Sequence, residues 1–317
     1  MPNALPEAAV ERFRSDLQRL IPANDARLGI AVSGGPDSLA LLLLCSAAFP
    51  HQCSAATVDH QLRAESAAEA AFVAEICASH GIPHSTLSPD EPITGSVQAA
   101  ARAERYALLE RWAARNDLHA ILTAHHADDQ AETLLMRLNR GAGTAGMSGV
   151  RSTNGRMVRP LLHWRKKELA EIVRLAGIAP VLDPSNEDDR YDRARIRKAI
   201  AGSDWLDPVA MSRSAAALSE GDAALGWMAD RLFAERVRQM GESLVLNDPL
   251  SLPLELQRRL VTRCIQALDE KWRENGPDVQ RLSQTLRTGG KASIGRLVVR
   301  ATPDSWEFTP APPRRKN

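Results

Sequence analysis

The chain has 317 residues, 44% of them hydrophobic, and carries 40 Lys and Arg against 39 Asp and Glu, for a formal net charge of +1. That content allows a substantial core, the length suggests two domains at about 150 residues each, and the near-neutral charge neither announces nor excludes a nucleic-acid partner. No apolar run approaches the roughly 18 residues of a membrane span and the N-terminal MPNALPEAAVERFRSDL lacks the pattern of a secretory leader, so a soluble cytoplasmic protein is expected.

The first two hundred residues alternate short β-branched or apolar runs with helical stretches, the signature of a parallel sheet covered by helices. Strands are expected at 28–32, 54–58, 84–87 and 119–123, and helices at 37–48, 65–80, 95–115 and 128–139. Gly81 and Gly141 stand where left-handed helix C-caps belong. A strand-like MVRPLL (157–162) leads into the helical RKKELAEIVRLAGI (165–178). Beyond Trp205 the texture changes. Residues 208–240 are Ala-rich and helix-forming, with Met211, Leu218, Leu225, Met228 and Leu232 as an apolar packing stripe. PLELQRRLVTRCIQAL reads as another helix, and KASIGRLVVRATPDSWEFTPA as short strands joined by turns. The expected organisation is an N-terminal domain over 1–205, a helical linker over 206–222 and a small mixed domain over 223–317. Cys45, Cys53, Cys77 and Cys264 form no CxxC pair, and reduced, buried thiols are expected.

The apolar run ending at Val32 gives way to Ser33, Gly34, Gly35, Pro36, Asp37 and Ser38, and then to a second apolar run. Between a strand and a helix, such a loop can turn successive backbone N–H groups and a helix N-terminus onto a phosphate. The glycines permit close approach, Pro36 suits the first helical turn, and the two serines add hydroxyl donors. Asp37 would repel a phosphate unless a cation lay between them, which assigns it to Mg2+. The GxxxxGK[ST] loop is absent. SGGPDS instead resembles the signature of the N-type ATP pyrophosphatases, the PP-loop family, which grip the pyrophosphate portion of ATP and cleave between the α and β phosphates.

Further segments narrow the family. VDHQLR places Asp59 and His60 at the carboxyl end of the second strand, on the same sheet edge as the loop, although Asp59 is also an ordinary turn residue. TAHHADDQAET ends the fourth strand with His125 and His126 and opens a helix with Asp128 and Asp129, while Asp128 and Glu132 share a helical face. Acidic residues also favour helix N-termini, and a His pair beside an Asp pair could bind a transition metal. LNRGAGTAGMSGV (138–150) reads as a flexible loop of the kind that closes over a site. DPSNEDDRYDRARIR brings Arg190, Arg193, Arg195, Arg197 and Lys198 together, either as a solvated helix face or as phosphate contacts, with Tyr191 available to stack on a base.

Together with RPLL, these segments resemble the tRNA(Ile)-lysidine synthetase family in order and spacing over about residues 25–200. Where that family commonly reads RNRIR, this chain has Arg193, Ala194, Arg195, Ile196 and Arg197. The resemblance implies an open, mainly parallel α/β sheet with helices on both faces, PP-loop and Rossmann-like, followed by a smaller mostly helical or mixed tRNA-binding domain. It implies ATP and Mg2+ as cofactors, and L-lysine and a CAU-anticodon tRNA(Ile) as substrates, with a homodimer as one option. Lysine would be ligated to C2 of the wobble cytidine through an adenylated base. Asp37 would hold the metal with Asp128 or Asp129 contributing, and His125 with the neighbouring carboxylates would position lysine or take its ammonium proton. Ser33 to Ser38, Asp59 and His60 would bind the nucleotide. Arg258, Arg259, Arg263, Arg296 and Arg300 would be phosphate contacts or plain surface charges. The rival readings are a tRNA thiolase, which generally needs catalytic or cluster-binding cysteines, a small-molecule ligase, and a tRNA-binding protein without turnover.

Overall fold

The computed structural model describes residues 5–22, 25–61, 66–89, 97–181 and 192–312. These form two compact units, Met1–Ser219 and Glu220–Asn317.

The first unit runs α1 (Glu7–Leu20), β1 (Leu28–Ala31), α2 (Pro36–Ala48), β2 (Cys53–Val58), α3 (Ser66–Ser79), β3 (His84–Leu87), α4 (Val97–Arg115), β4 (Ala120–Leu122) and α5 (Ala127–Asn139). It continues with α6 (Thr144–Met147), β5 (Thr153–Asn154), β6 (Met157–Val158), α7 (Lys166–Leu175), α8 (Asp192–Ala201) and the start of α9 (Pro208–Arg236). The sheet order is β3-β2-β1-β4-β6-β5, with every pair parallel except the β5–β6 hairpin. The chain winds outward from β1 to β3 and then crosses to the other side of β1, so the order reverses between β1 and β4. In open α/β sheets that reversal opens a crevice at the carboxyl ends of the strands, and the loops after β1 and β4 flank it.

Alternation within the strands feeds two cores. Leu28 and Ile30 of β1 join Phe13, Leu17, Val73, Leu169 and Ile172 on one face, and Ala31 and Ile121 join Leu109, Trp112 and Met157 on the other. Helix α2 is apolar all round because it is enclosed all round: Leu39, Leu41, Leu42, Leu43 and Leu44 are each at most 3% exposed. Each such leucine contributes about 1.5–3 kcal/mol over an exposed one. This anchors the helix whose first turn carries Asp37. MVRPLL forms strand only over Met157–Val158, where β4 offers a partner, and turns thereafter.

The second unit contains the end of α9, β7 (Val237–Met240), β8 (Ser243–Asn247), α10 (Leu254–Leu268), α11 (Gly276–Arg287), β9 (Lys291–Ile294), β10 (Leu297–Ala301) and β11 (Ser305–Pro310). Its sheet, β7-β8-β11-β10-β9, is antiparallel throughout. Leu246, Val299, Trp306 and Phe308 face Leu260, Val261, Ile265, Val279 and Leu282 of the helices. The helix expected over 208–240 stops at Arg236, because Val237–Met240 pairs with β8 through the turn at Gly241 (φ 61°). The apolar stripe expected on α9 is only partly its inward face: Leu232 packs against the second unit's core and Met211, Leu218 and Leu225 are half-buried, but Met228 is exposed and the buried positions are Pro208, Ser212, Ala215, Asp222 and Ala229. Polar anchoring sets this rotation, with Ser212 Oγ donating to Leu162 O at 2.6 Å and Asp222 accepting from Arg259 at 2.5 Å.

Candidate active site

The loop after β1 holds its own shape. Ser33 N–H donates to Ser38 Oγ at 3.1 Å, and that hydroxyl donates to Gly35 O at 3.0 Å. Ser38 is 6% exposed, so its hydroxyl closes the loop, and the exposed serine of the pair is Ser33. Gly34 has φ +83°, and its carbonyl accepts from Val181 N–H at 3.0 Å. A Cβ there would only touch Val73 and Val181 at 3.4 Å, so the left-handed backbone is what requires glycine. Pro36 begins α2, whose first-turn N–H groups have no intrahelical acceptors and lie where an anion is stabilised.

Across the reversal point, β4 leads to Thr123, the two histidines and α5. His126 is the centre of this half of the site. It is 4% exposed, with Nε2 3.5 Å from Asp37 Oδ2 and 3.5 Å from Asp129 Oδ2, and Nδ1 3.7 Å from Asp128 Oδ2. It also caps α5: its Nδ1 accepts from Asp129 N–H at 3.3 Å, and its own N–H donates to Asp129 Oδ2 at 3.1 Å. With Nδ1 accepting, the ring proton sits on Nε2, between Asp37 and Asp129. Burial opposes protonation of His126, but the Asp37 hydrogen bond and the surrounding carboxylates outweigh it and raise the pKa. Asp37 Oδ2 meets the histidine, whereas Asp37 Oδ1 is buried without any hydrogen-bond partner. An unsatisfied carboxylate oxygen of this kind suits a hard divalent cation.

His125 is different. Its Nδ1 lies 3.1 Å from Thr123 Oγ1, and burial, aided by Arg159, Arg102 and Arg105 against Asp129, lowers its pKa to about 4. It is neutral at pH 7 and a weak base. Of the two roles expected of His125 with its neighbouring carboxylates, positioning lysine or taking its ammonium proton, the lowered basicity speaks against the second only. His126, which the sequence offers only as half of a possible metal-binding His pair, makes the contacts to Asp37.

Asp128 is also reassigned. It accepts from Arg165 Nε and Nη2 at 3.3 and 3.1 Å and from Lys166 N–H at 2.7 Å, capping α7. Burial raises its pKa, but these donors prevail and lower it. A carboxylate committed to three donors is a strut between α5 and α7 and not an open metal ligand. The backbone completes the strut, with Ala127 N–H donating to Trp164 O at 2.9 Å.

Glu132, 2% exposed, lies one turn further along α5 and accepts from Arg193 Nε at 3.0 Å and Arg197 Nε at 2.7 Å. The hydrogen bond to Glu132 raises the Arg197 pKa further. Two of the cations expected to meet RNA thus hold α8 against α5, while remaining 47% and 34% exposed. Ala194, where the family commonly has Asn, is 6% exposed and faces inward. Arg195 and Lys198 are exposed on the same helix, and Arg190 and Tyr191 lie outside the described residues.

Asp59 is 9% exposed and its Oδ1 accepts from Gln61 N–H at 2.8 Å, closing a turn in which Gln61 has φ 56°. His60 Nδ1 is buried without a partner. Burial, then Arg105, lowers the His60 pKa against the pull of Asp59 and Glu104.

The glycine-rich segment after α5 is tied down and not free to swing. Gln130 donates to Val150 O at 2.6 Å and accepts from Val150 N–H at 2.7 Å, and Arg137 donates to the carbonyls of Gly146 and Gly149 at 2.6 and 2.9 Å. Gly149 has φ +62°, and a Cβ there would stand 2.5 Å from Gln130 Oε1 and 3.2 Å from Ala215 Cβ. Gly149→Ala is therefore expected to lower stability by about 2–4 kcal/mol, from left-handed strain plus overpacking, read as a lower thermal midpoint. An unchanged midpoint would show that the Gln130 clamp is soft.

In the second unit, Arg259 pairs with Asp222 at 2.5 Å and Glu255 at 2.8 Å, Arg263 with Asp230 at 2.7 Å and Arg258 with Glu255 at 2.8 Å. These three arginines build the unit. Arg296 and Arg300 are exposed.

Nothing in the sequence marks Arg102 and Arg105, which sit in a helix that reads as ordinary, and only the RPLL motif marks Arg159. No helix among the described residues is long and apolar enough to cross a membrane.

The PP-loop domain family matches residues 9–203. A tRNA(Ile)-lysidine synthase from Novosphingobium aromaticivorans is 47% identical over 316 residues, covering 98% of this chain and 96% of that relative. One from Zymomonas mobilis is 42% identical, covering 92% and 90%. The U34-tRNA thiolase from Methanococcus maripaludis is similar in fold, with a TM-score of 0.58 at 16% identity over 68% of this chain and 78% of that one. The chain belongs to the tRNA(Ile)-lysidine synthase family, with its catalytic-type crevice carried by a PP-loop domain.

Proposed function

We propose that the protein is an ATP-dependent ligase that joins L-lysine to C2 of the wobble cytidine in the CAU anticodon of tRNA(Ile), acting in the cytoplasm. The C2 oxygen is a poor leaving group and must first be activated. It attacks the α-phosphate of ATP, pyrophosphate departs, and the ε-amine of lysine then displaces AMP from the adenylated base. Each bond made is matched by one broken.

The observation that carries this reading is the buried, unpartnered Asp37 Oδ1 at the head of α2, beside a loop whose backbone suits pyrophosphate. Asp37 would hold Mg2+, which when bound neutralises charge on the phosphates. Among the described residues no cluster of three His, Cys, Asp or Glu side chains is arranged for a metal, so phosphate oxygens would complete its coordination. Ser33 and the N–H groups of the loop would bind the pyrophosphate portion, with Asp59 and His60 on the nucleotide side. Asp129 and His126 orient Asp37 from across the crevice. Arg190, Arg193, Arg195, Arg197 and Lys198 would meet the tRNA, with the 223–317 domain as a second contact. A thiolase reading is disfavoured because all four cysteines are buried.

The test is pyrophosphate release from ATP with lysine and the tRNA added separately and together, followed by nucleoside mass analysis of the anticodon. Release that needs the tRNA, with a lysine adduct on the wobble cytidine, is expected. Release without any tRNA would make the protein a small-molecule ligase, and tRNA binding without release would make it a binding protein.

A further inference from the structure

Arg159 follows β6 at the carboxyl edge of the sheet, next to the exit of β4. Its N–H donates to Ser152 O at 2.9 Å, and Thr123 N–H donates to Val158 O at 3.0 Å. The side chain is 6% exposed. One Nη donates to Arg151 O at 2.7 Å, while Nε is buried with no hydrogen-bond partner. No carboxylate among the described residues pairs with it. A guanidinium taken out of water is strongly disfavoured unless an anion meets it. Arg259, 13% exposed, follows that rule and holds both Asp222 and Glu255.

The surroundings share the sign of Arg159. Arg102 and Arg105 act with it on His125, and Arg105 also acts on His60, whose Nδ1 is a further orphaned group at this edge. His126 belongs to the carboxylate side with Asp37, whereas His125, on which Asp129 also acts, has Arg159, Arg102 and Arg105 around it. Adjacent residues thus divide the crevice into a part that favours a cation and a part that favours an anion.

We propose that Arg159 is an anion-binding residue of the active site, presenting its unpartnered Nε and an Nη to a two-oxygen acceptor on a substrate. The inference rests on the ligase reading above, which brings two such groups, the α-phosphate of ATP and the α-carboxylate of lysine. Both are acceptors that the guanidinium fork meets bidentately.

The test uses the full chain and Arg159→Met, which keeps length and apolar volume and removes the charge. If the wild type shows no tRNA-dependent pyrophosphate release, the ligase reading fails independently of this one. Given an active wild type, R159M should keep or raise the thermal midpoint, because an unpaired buried charge is gone, and lose about 10²-fold in turnover or apparent affinity. Arg159→Lys should recover only part, since an ammonium cannot reproduce the fork. A raised KM for lysine, with lost discrimination between lysine and lysinamide, assigns the carboxylate. Slower pyrophosphate release at an unchanged lysine KM assigns the α-phosphate. Wild-type turnover and KM values in R159M would overturn the proposal. So would a lowered midpoint with unchanged kinetics of the folded protein, the behaviour of a purely structural arginine.

Discussion

Replacing Asp37 with Ala should reduce tRNA-dependent pyrophosphate release by at least about 10³-fold while leaving the protein folded, because one carboxylate is asked to supply several kcal/mol of charge compensation at the phosphates. The fold should survive. Asp37 Oδ1 has no partner to lose, and α2 is held by its leucines and not by its first turn. Asp37→Asn separates shape from charge: it keeps an oxygen near His126 but cannot neutralise a divalent cation. It should need far more Mg2+ for any residual turnover while binding tRNA normally. The check is pyrophosphate release across a Mg2+ titration with a thermal midpoint for each variant. Near-normal release by D37A would remove Asp37 from the reaction.

Much of this half of the site was legible in the sequence because it is local. Strand, glycine turn, proline and apolar helix follow one another within residues 28–48, and each residue type has its own backbone reason to be there. The same locality makes β3 readable at about 84–87, where it lies. What was misread depends on partners far along the chain. Asp128 looks like a ligand until Arg165, 37 residues later, is seen to take it. His125 and His126 are indistinguishable in one dimension, since the choice between them turns on which one the β4 exit points toward Asp37. The glycine loop suggested mobility because its composition is loose, whereas Gln130 and Arg137 on α5 hold it by hydrogen bonds. Strand β7 reads as helix in the sequence because only its pairing with β8 overrides local propensity.

Glu132 shows how far such a long-range contact can reach. At 2% exposure it carries two arginines from α8, 61 and 65 residues away in sequence. Glu132→Ala would take the buried carboxylate away from both guanidinium groups, with Arg193 keeping its bond to Thr133 Oγ1, and open space under α8. Breaking a buried pair costs about 3–5 kcal/mol, and because Arg193 and Arg197 are partly exposed and recover water, a loss of about 2–3 kcal/mol is expected. The damage should be regional. Amide exchange should accelerate over 192–201 well before the sheet opens, and Glu132→Gln, which keeps the volume and an acceptor oxygen, should retain part of the protection. The effect on tRNA then separates two accounts of the basic helix. E132A raises net positive charge by one, so if charge alone governs the encounter, tRNA affinity should rise and its salt dependence steepen. If the placement of α8 governs it, affinity should fall despite the added charge, with activity down by about 10²-fold or more, since misplacing a bound group costs on that order. We expect the fall, because a carboxylate that neutralised two RNA-facing arginines without positioning them would only weaken binding. Unchanged exchange over 192–201 in E132A would show that something else tethers the helix.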